Sequence, residues 1–143
     1  MNGHAKAPWR LWAVGAATLL WNGFGAFQWY RQVTRSDSYW GNLTMEQVQF
    51  IIAQPMWVEV AFGVGVWTGV LGALMLLLRR RLALNAFVAS LIAILVNTLF
   101  MQVLSNARVV FGNGTLIAAI AVIAVAAASI VYAHFTRKRG IIR

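Results

Sequence analysis

The chain has no cysteine, two prolines, two histidines and only three acidic residues among its 143. Without cysteine there is no disulfide framework, thiolate metal site or cysteine nucleophile. His4 and His134 sit near opposite ends of the sequence, so no paired haem ligands are expected. The acids are too few for a di-metal carboxylate site, no Ser-His-acid set is in evidence, and no glycine loop has the spacing of a phosphate cradle. Neither catalysis nor a metal or cofactor is therefore expected. Charge is scarce as a whole: 10% of residues are charged, against about a quarter in soluble domains. Too few charged groups remain to cover a water-facing surface.

What the chain does have is apolar length. Of all residues 61% are hydrophobic, gathered into four runs at 11–29, 55–78, 82–104 and 115–135. A helix needs about 20 such residues to cross the ~30 Å hydrocarbon layer. A barrel would alternate over ~10-residue segments instead. The expectation is one all-α domain, 1–143, a four-helix integral membrane bundle. The first run is too long for a signal core and lacks a small-residue cleavage site, so it reads as a retained helix.

The net charge of +9 follows membrane topology rather than nucleic-acid binding. Lys6, Arg10, Arg79, Arg80, Arg81, Arg137, Lys138, Arg139 and Arg143 fall on one side of the spans. Only Arg31, Arg35 and Arg108 fall on the other, together with Asp37, Glu46 and Glu59. The positive-inside rule then places both termini in the cytoplasm. Trp9 and Trp12 at one end, and Trp29, Tyr30, Tyr39, Trp40 and Trp57 at the other, suit the two interfaces. Arg79-Arg80-Arg81 is too short a link for anything but antiparallel neighbours. The outer segment 30–54 is long, and within it Thr44 with Gln47 fits a capping box opening an amphipathic interfacial helix over 44–54. Pro55 can begin span two, because the first turn needs no amide there.

Small residues mark the faces on which helices approach in lipid. Span one carries Gly15, Thr18, Asn22 and Gly25 on one stripe; span two carries Ala61, Gly65, Gly69 and Gly72; span four carries Gly114, Ala118, Ala121 and Ala128. Gly63 lies off the main stripe of span two, implying contact on a second side. Polar positions inside the spans gather in the outer half: Asn22, Gln28, Glu59, Asn97 and Gln102. Burying each unpaired costs roughly 1–3 kcal/mol, so they are expected to converge as a ligand-binding or interhelical polar cluster. Glu59, the single acid within a span, reads either as a proton-coupled or ligand-binding carboxylate or as a helix-positioning group near Arg31 or Arg35.

Two stretches carry a resemblance: Leu20-Trp21-Asn22-Gly23-Phe24-Gly25-Ala26-Phe27, and Gly65-Val66-Trp67-Thr68-Gly69-Val70-Leu71-Gly72 running on to Arg79-Arg80-Arg81. They are similar to segments of small uncharacterised proteobacterial four-helix inner-membrane proteins, some loosely labelled sugar transporters. The resemblance covers the first two-thirds of the chain and implies the bacterial inner membrane and a link to transport. In that pattern an acid often follows the first motif where this chain has Gln28, so no role resting on that acid carries over. Three functions are open from sequence. One is a non-catalytic accessory or assembly subunit packing through Gly/Ala seams onto other membrane subunits or onto itself. The second is an oligomeric small-solute transporter with an outer site around Glu59, and the third is a lipid- or quinone-binding protein. The partners expected are the lipid bilayer and other membrane chains, with no nucleic acid.

Overall fold

The computed structural model describes residues 9–142; the expectations for His4, Lys6 and Arg143 lie outside the described residues. The chain is helical, with no strand among the described residues. The long helices are α1 (Trp9–Val33), α4 (Met56–Leu77), α5 (Leu82–Leu99) and α7 (Gly114–Lys138). Shorter ones occupy the connections: α2 (Asp37–Trp40), α3 (Met45–Ala53) and α6 (Ala107–Phe111). Met56–Leu77, Leu82–Leu104 and Gly114–Lys138 are long and apolar enough to cross a bilayer. α1 is as long as α7, but Asn22, Gln28 and its terminal arginines leave it outside that set.

The capping box forms as its residues require. Gln47 N–H donates to Thr44 Oγ1 at 3.2 Å and Thr44 N–H donates to Gln47 Oε1 at 3.1 Å, which satisfies two amides at the start of α3. Pro55 is the residue before α4 rather than its first helical position, and Met56 begins the helix. Three features have no counterpart in the sequence reading. α2 is a second short helix in the outer segment, α6 occupies the 105–113 link, and α5 widens into a π-helical turn at Phe100–Leu104.

Three of the long helices stop in the same way. After α1, Arg35 N–H donates to Gln32 O and Ser36 N–H to Arg31 O. After α4, Arg79 donates to Leu76 O and Arg80 to Met75 O, and after α7 Gly140 donates to Arg137 O and Ile141 to Thr136 O. This is the Schellman pairing, which places one residue in the left-handed region. Gly140 does so at φ 73° without strain, while Arg35 and Arg79 do so at 54° and 57°, costing roughly 1–2 kcal/mol each. At Arg79 the conformation sends the side chain to the C-terminal segment, where Nε donates to Ile141 O at 2.9 Å.

α4 is the central helix, packed on α1 along one side and α5 along the other, with α7 on the far side of α5. Its glycines explain the closeness. A Cβ on Gly69 would collide with Asn22 of α1, and one on Gly63 would fall 2.7 Å from Trp29 Nε1. On the other side, a Cβ on Gly72 would meet the Phe87 ring of α5 at 2.7 Å, and one on Gly65 would meet Ile94 at 3.1 Å. The expected single stripe on α4 is thus divided between two neighbours. Gly15 and Gly25 of α1 face Leu77 and Val66 of α4.

The stripe drawn on the last span differs from what is buried. α7 buries Ala126, Ser129, Ala133 and Thr136, about a quarter-turn round the helix at ~100° per residue from Gly114, Ala118, Ala121 and Ala128. Ala118 and Ala128 are exposed and Ala121 is half-buried. An almost uniform alanine helix offers no size contrast by which to choose a face.

One end of the bundle is closed. Leu11, Ala73, Leu76, Ala83, Phe87 and Ala133 from all four long helices form a buried core, and Ile141 and Ile142 fold back beneath it. Arg10, Arg79, Arg80, Arg81, Arg137, Lys138 and Arg139 lie at this end, while Arg31, Arg35, Arg108 and the three acids lie at the other.

Candidate functional site: a cleft between α1 and α7

At the end opposite that core the bundle opens. α7 follows α5 and does not pack closely on α1, so a cleft runs between α1 and α7, floored by α4 and α5. Its main chamber holds about 440 Å³. Trp21, Phe24 and Gly25 of α1 form one wall, Ala118, Ala121 and Val122 of α7 the other, with Val66 and Ile94 beneath. Toward the closed end it pinches to about 10 Å³ between Asn22, Ser90 and Ser129. Toward the open end it continues into a second chamber of about 350 Å³, roofed by residues of α2, α3 and α6. Gln28, Phe62, Asn97, Met101 and Thr115 line both chambers.

The two chambers differ in character. The main one is almost wholly apolar, with the amides of Asn22, Gln28, Asn97 and Gln102 as its hydrogen-bonding side chains apart from Thr98, Thr115 and the Trp21 indole. The outer one collects Gln28, Gln32, Gln54, Glu59, Asn97 and the Tyr39 phenol. Glu59 is the single charged residue lining either.

All five polar residues singled out from sequence line this cleft, but they do not pair with one another. Asn22 Nδ2 donates to Thr18 O of its own helix at 2.9 Å. Asn97 Nδ2 donates across to Val58 O of α4 at 3.1 Å. Gln28 Oε1 accepts from the Arg31 guanidinium at 3.0 Å. Gln102, carried by the π-helical turn, leaves its buried Oε1 without a donor. The Glu59 carboxylate has neither hydrogen bond nor ion pair with any described residue. Arg31 and Arg35 do not reach it: Arg31 stacks on Phe27 and Tyr39, and Arg35 on Trp40.

Hydrogen bonds from side chain to backbone staple three of the helices. Besides Asn97 to Val58 O, Ser90 Oγ donates to Gly65 O at 2.6 Å, and Trp29 Nε1 donates to Glu59 O at 3.1 Å. These join α5 and α1 to α4. The polar side chains of α7 bond only locally: Thr115 to Gly112 O, Ser129 to Val125 O and Thr136 to Ala133 O. That side of the cleft is held by packing alone.

Aromatic rings surround the outer chamber. Phe50 of α3 meets Phe111 of α6 edge-on at 5.5 Å and Phe100 at 6.4 Å, and Phe100 meets Trp57 at 5.5 Å. These contacts hold the short helices over the open end. Burial raises the Tyr39 phenol above its ordinary range, with Arg31 pulling the other way, so Tyr39 is a neutral donor there and bonds to Gln32 Oε1 at 3.3 Å.

Sequence reasoning missed the π-helical turn, the roofing aromatics Phe50 and Phe111, and the gap itself. Nothing local in the sequence marks those rings as neighbours. No group of three or more His, Asp or Glu residues able to hold a metal occurs among the described residues. Set against known protein families, curated proteins and solved structures, the chain has no match.

Proposed function

We propose that this chain is a four-span inner-membrane protein of bacterial type, with both ends cytoplasmic and α3 at the outer interface, whose lateral cleft binds an amphiphile drawn from the bilayer. The observation that carries this reading is the polarity gradient of the cleft. An apolar chamber of about 440 Å³ suits a tail, and hydrogen-bonding groups collect at its open end for a head. Pockets of ~300–1,000 Å³ with apolar walls and a few convergent polar groups are the usual form of a small-molecule site. α1 serves as the fourth span because it packs along α4, and its exposed Trp21, Phe24 and Phe27 suit lipid contact. The clustering of basic residues at the closed end supports its cytoplasmic placement.

A second reading, an assembly subunit, draws on one observation. The glycines of α4 are spent on contacts within the chain, but the Gly114, Ala118 and Ala128 face of α7 is left exposed and suits close approach by another helix. A solute path gains less support, since the cleft pinches out above the closed core.

Native mass spectrometry of gently extracted protein tests the proposal. A retained amphiphile is expected, lost when Ala118→Phe fills the chamber. A stable complex of the wild-type chain with another protein and no retained small molecule favours the subunit reading and overturns this one.

A further inference from the structure

Resting on the amphiphile reading, we infer that the outer chamber is a site for a lipophilic organic cation, with Glu59 as the counter-charge. Three observations converge. First, Glu59 is the only charged residue lining either chamber, and no described cation neutralises it. A lone carboxylate on the wall of a half-enclosed chamber selects against anions and toward a positive partner. Second, Phe50, Phe62 and Phe111 line the same chamber, and aromatic rings are favourable neighbours for a weakly hydrated cation. Third, Arg31, a cation of this end of the bundle, lines neither chamber and is already tied to Gln28, Phe27 and Tyr39. A negatively charged lipid head would meet Glu59 as the one charge on the chamber wall, with Arg31 standing behind Gln28 and Tyr39. A compact cation would find a carboxylate and rings, and the adjoining apolar chamber takes its hydrophobic body.

Two probes of the same shape and opposite charge, tetraphenylphosphonium and tetraphenylborate, test this on the full chain in a neutral detergent. Calorimetric titration is expected to show saturable binding of the cation and none of the anion. Glu59→Gln is expected to weaken cation binding at least about tenfold, while leaving the elution profile and the thermal midpoint unchanged. Ala118→Phe is expected to block the cation without removing Glu59. Equal binding of the two probes, blocked by Ala118→Phe, overturns the charge assignment while leaving the amphiphile reading intact. Binding of neither probe also overturns it, and the retained-ligand measurement then decides the amphiphile reading separately. An unchanged affinity in Glu59→Gln overturns it as well, since the wild-type protein must owe its preference to that carboxylate.

Discussion

The two ends of this bundle are built from similar residues to opposite effect. At the closed end, Phe87 fills the space left by Gly72 and Leu77 that left by Gly15, so four helices share one core. At the open end, α1 and α7 separate, and larger side chains (Phe50, Phe62 and Phe111) border the space between them. Lipid supplies no hydrophobic drive to close such a gap. Shape matching, together with the hydrogen bonds that staple α1 and α5 to α4, decides where helices meet. Where small and large residues face each other the bundle seals, and where that pairing is missing a cleft remains.

The sharpest way to break the contrast is at Phe87, which is 2% exposed. Phe87→Ala should cost about 3–5 kcal/mol, read as a lowered unfolding midpoint in detergent, whereas Phe111→Ala at the half-buried open end should cost clearly less. Equal losses would erase the distinction between the ends. A matched pair of glycines sharpens it further. Gly72→Ala places a methyl against the Phe87 ring and should destabilise by about 1–3 kcal/mol. Gly23→Ala, with nothing within 4 Å of its Cβ, should stabilise α1 by roughly 0.5–1 kcal/mol through helix propensity. Loss of stability in both would show that α1 meets a neighbour on that face.

The smallest effect concerns pH at the open end. Tyr39 has a raised pKa in the folded chain, caused first by burial. The unfolded chain therefore loses that proton first, and stability falls as pH rises above about 10. Tyr39→Phe should flatten this limb of the profile and leave neutral-pH stability nearly unchanged. A limb of the same slope in the variant would assign it to other groups.

Legibility followed contrast in the sequence. Apolar run length located the long helices to within a few residues, and the capping box was readable because Thr44 and Gln47 need only each other. The glycines of α4 pointed to tight approach, but their division between two neighbours depends on rotations of tens of degrees that a stripe does not resolve. The alanines of α7 carried no preference for one face. The polar residues did collect on one cleft, yet their mutual pairing was not needed. Asn22 found the carbonyl one turn back along its own helix, and Asn97 found a carbonyl of α4. Backbone acceptors are everywhere in a bundle, and no side-chain pattern announces which one is used. Arg35 and Arg79 in glycine-like conformations were equally silent, since the residue type argues against the geometry it adopts.

The one-sided attachment of α7 has a mechanical corollary. Thr136 and Ala133 are buried at one extremity, and the backbone just beyond is tied to Arg79, while the other extremity carries no such tether to α1. A rod pinned at its foot converts a small change of lean into a larger displacement at its tip. The width of the cleft between α1 and α7 therefore rests on the lean of α7 and on its contacts with α6 and the π-helical turn at that end.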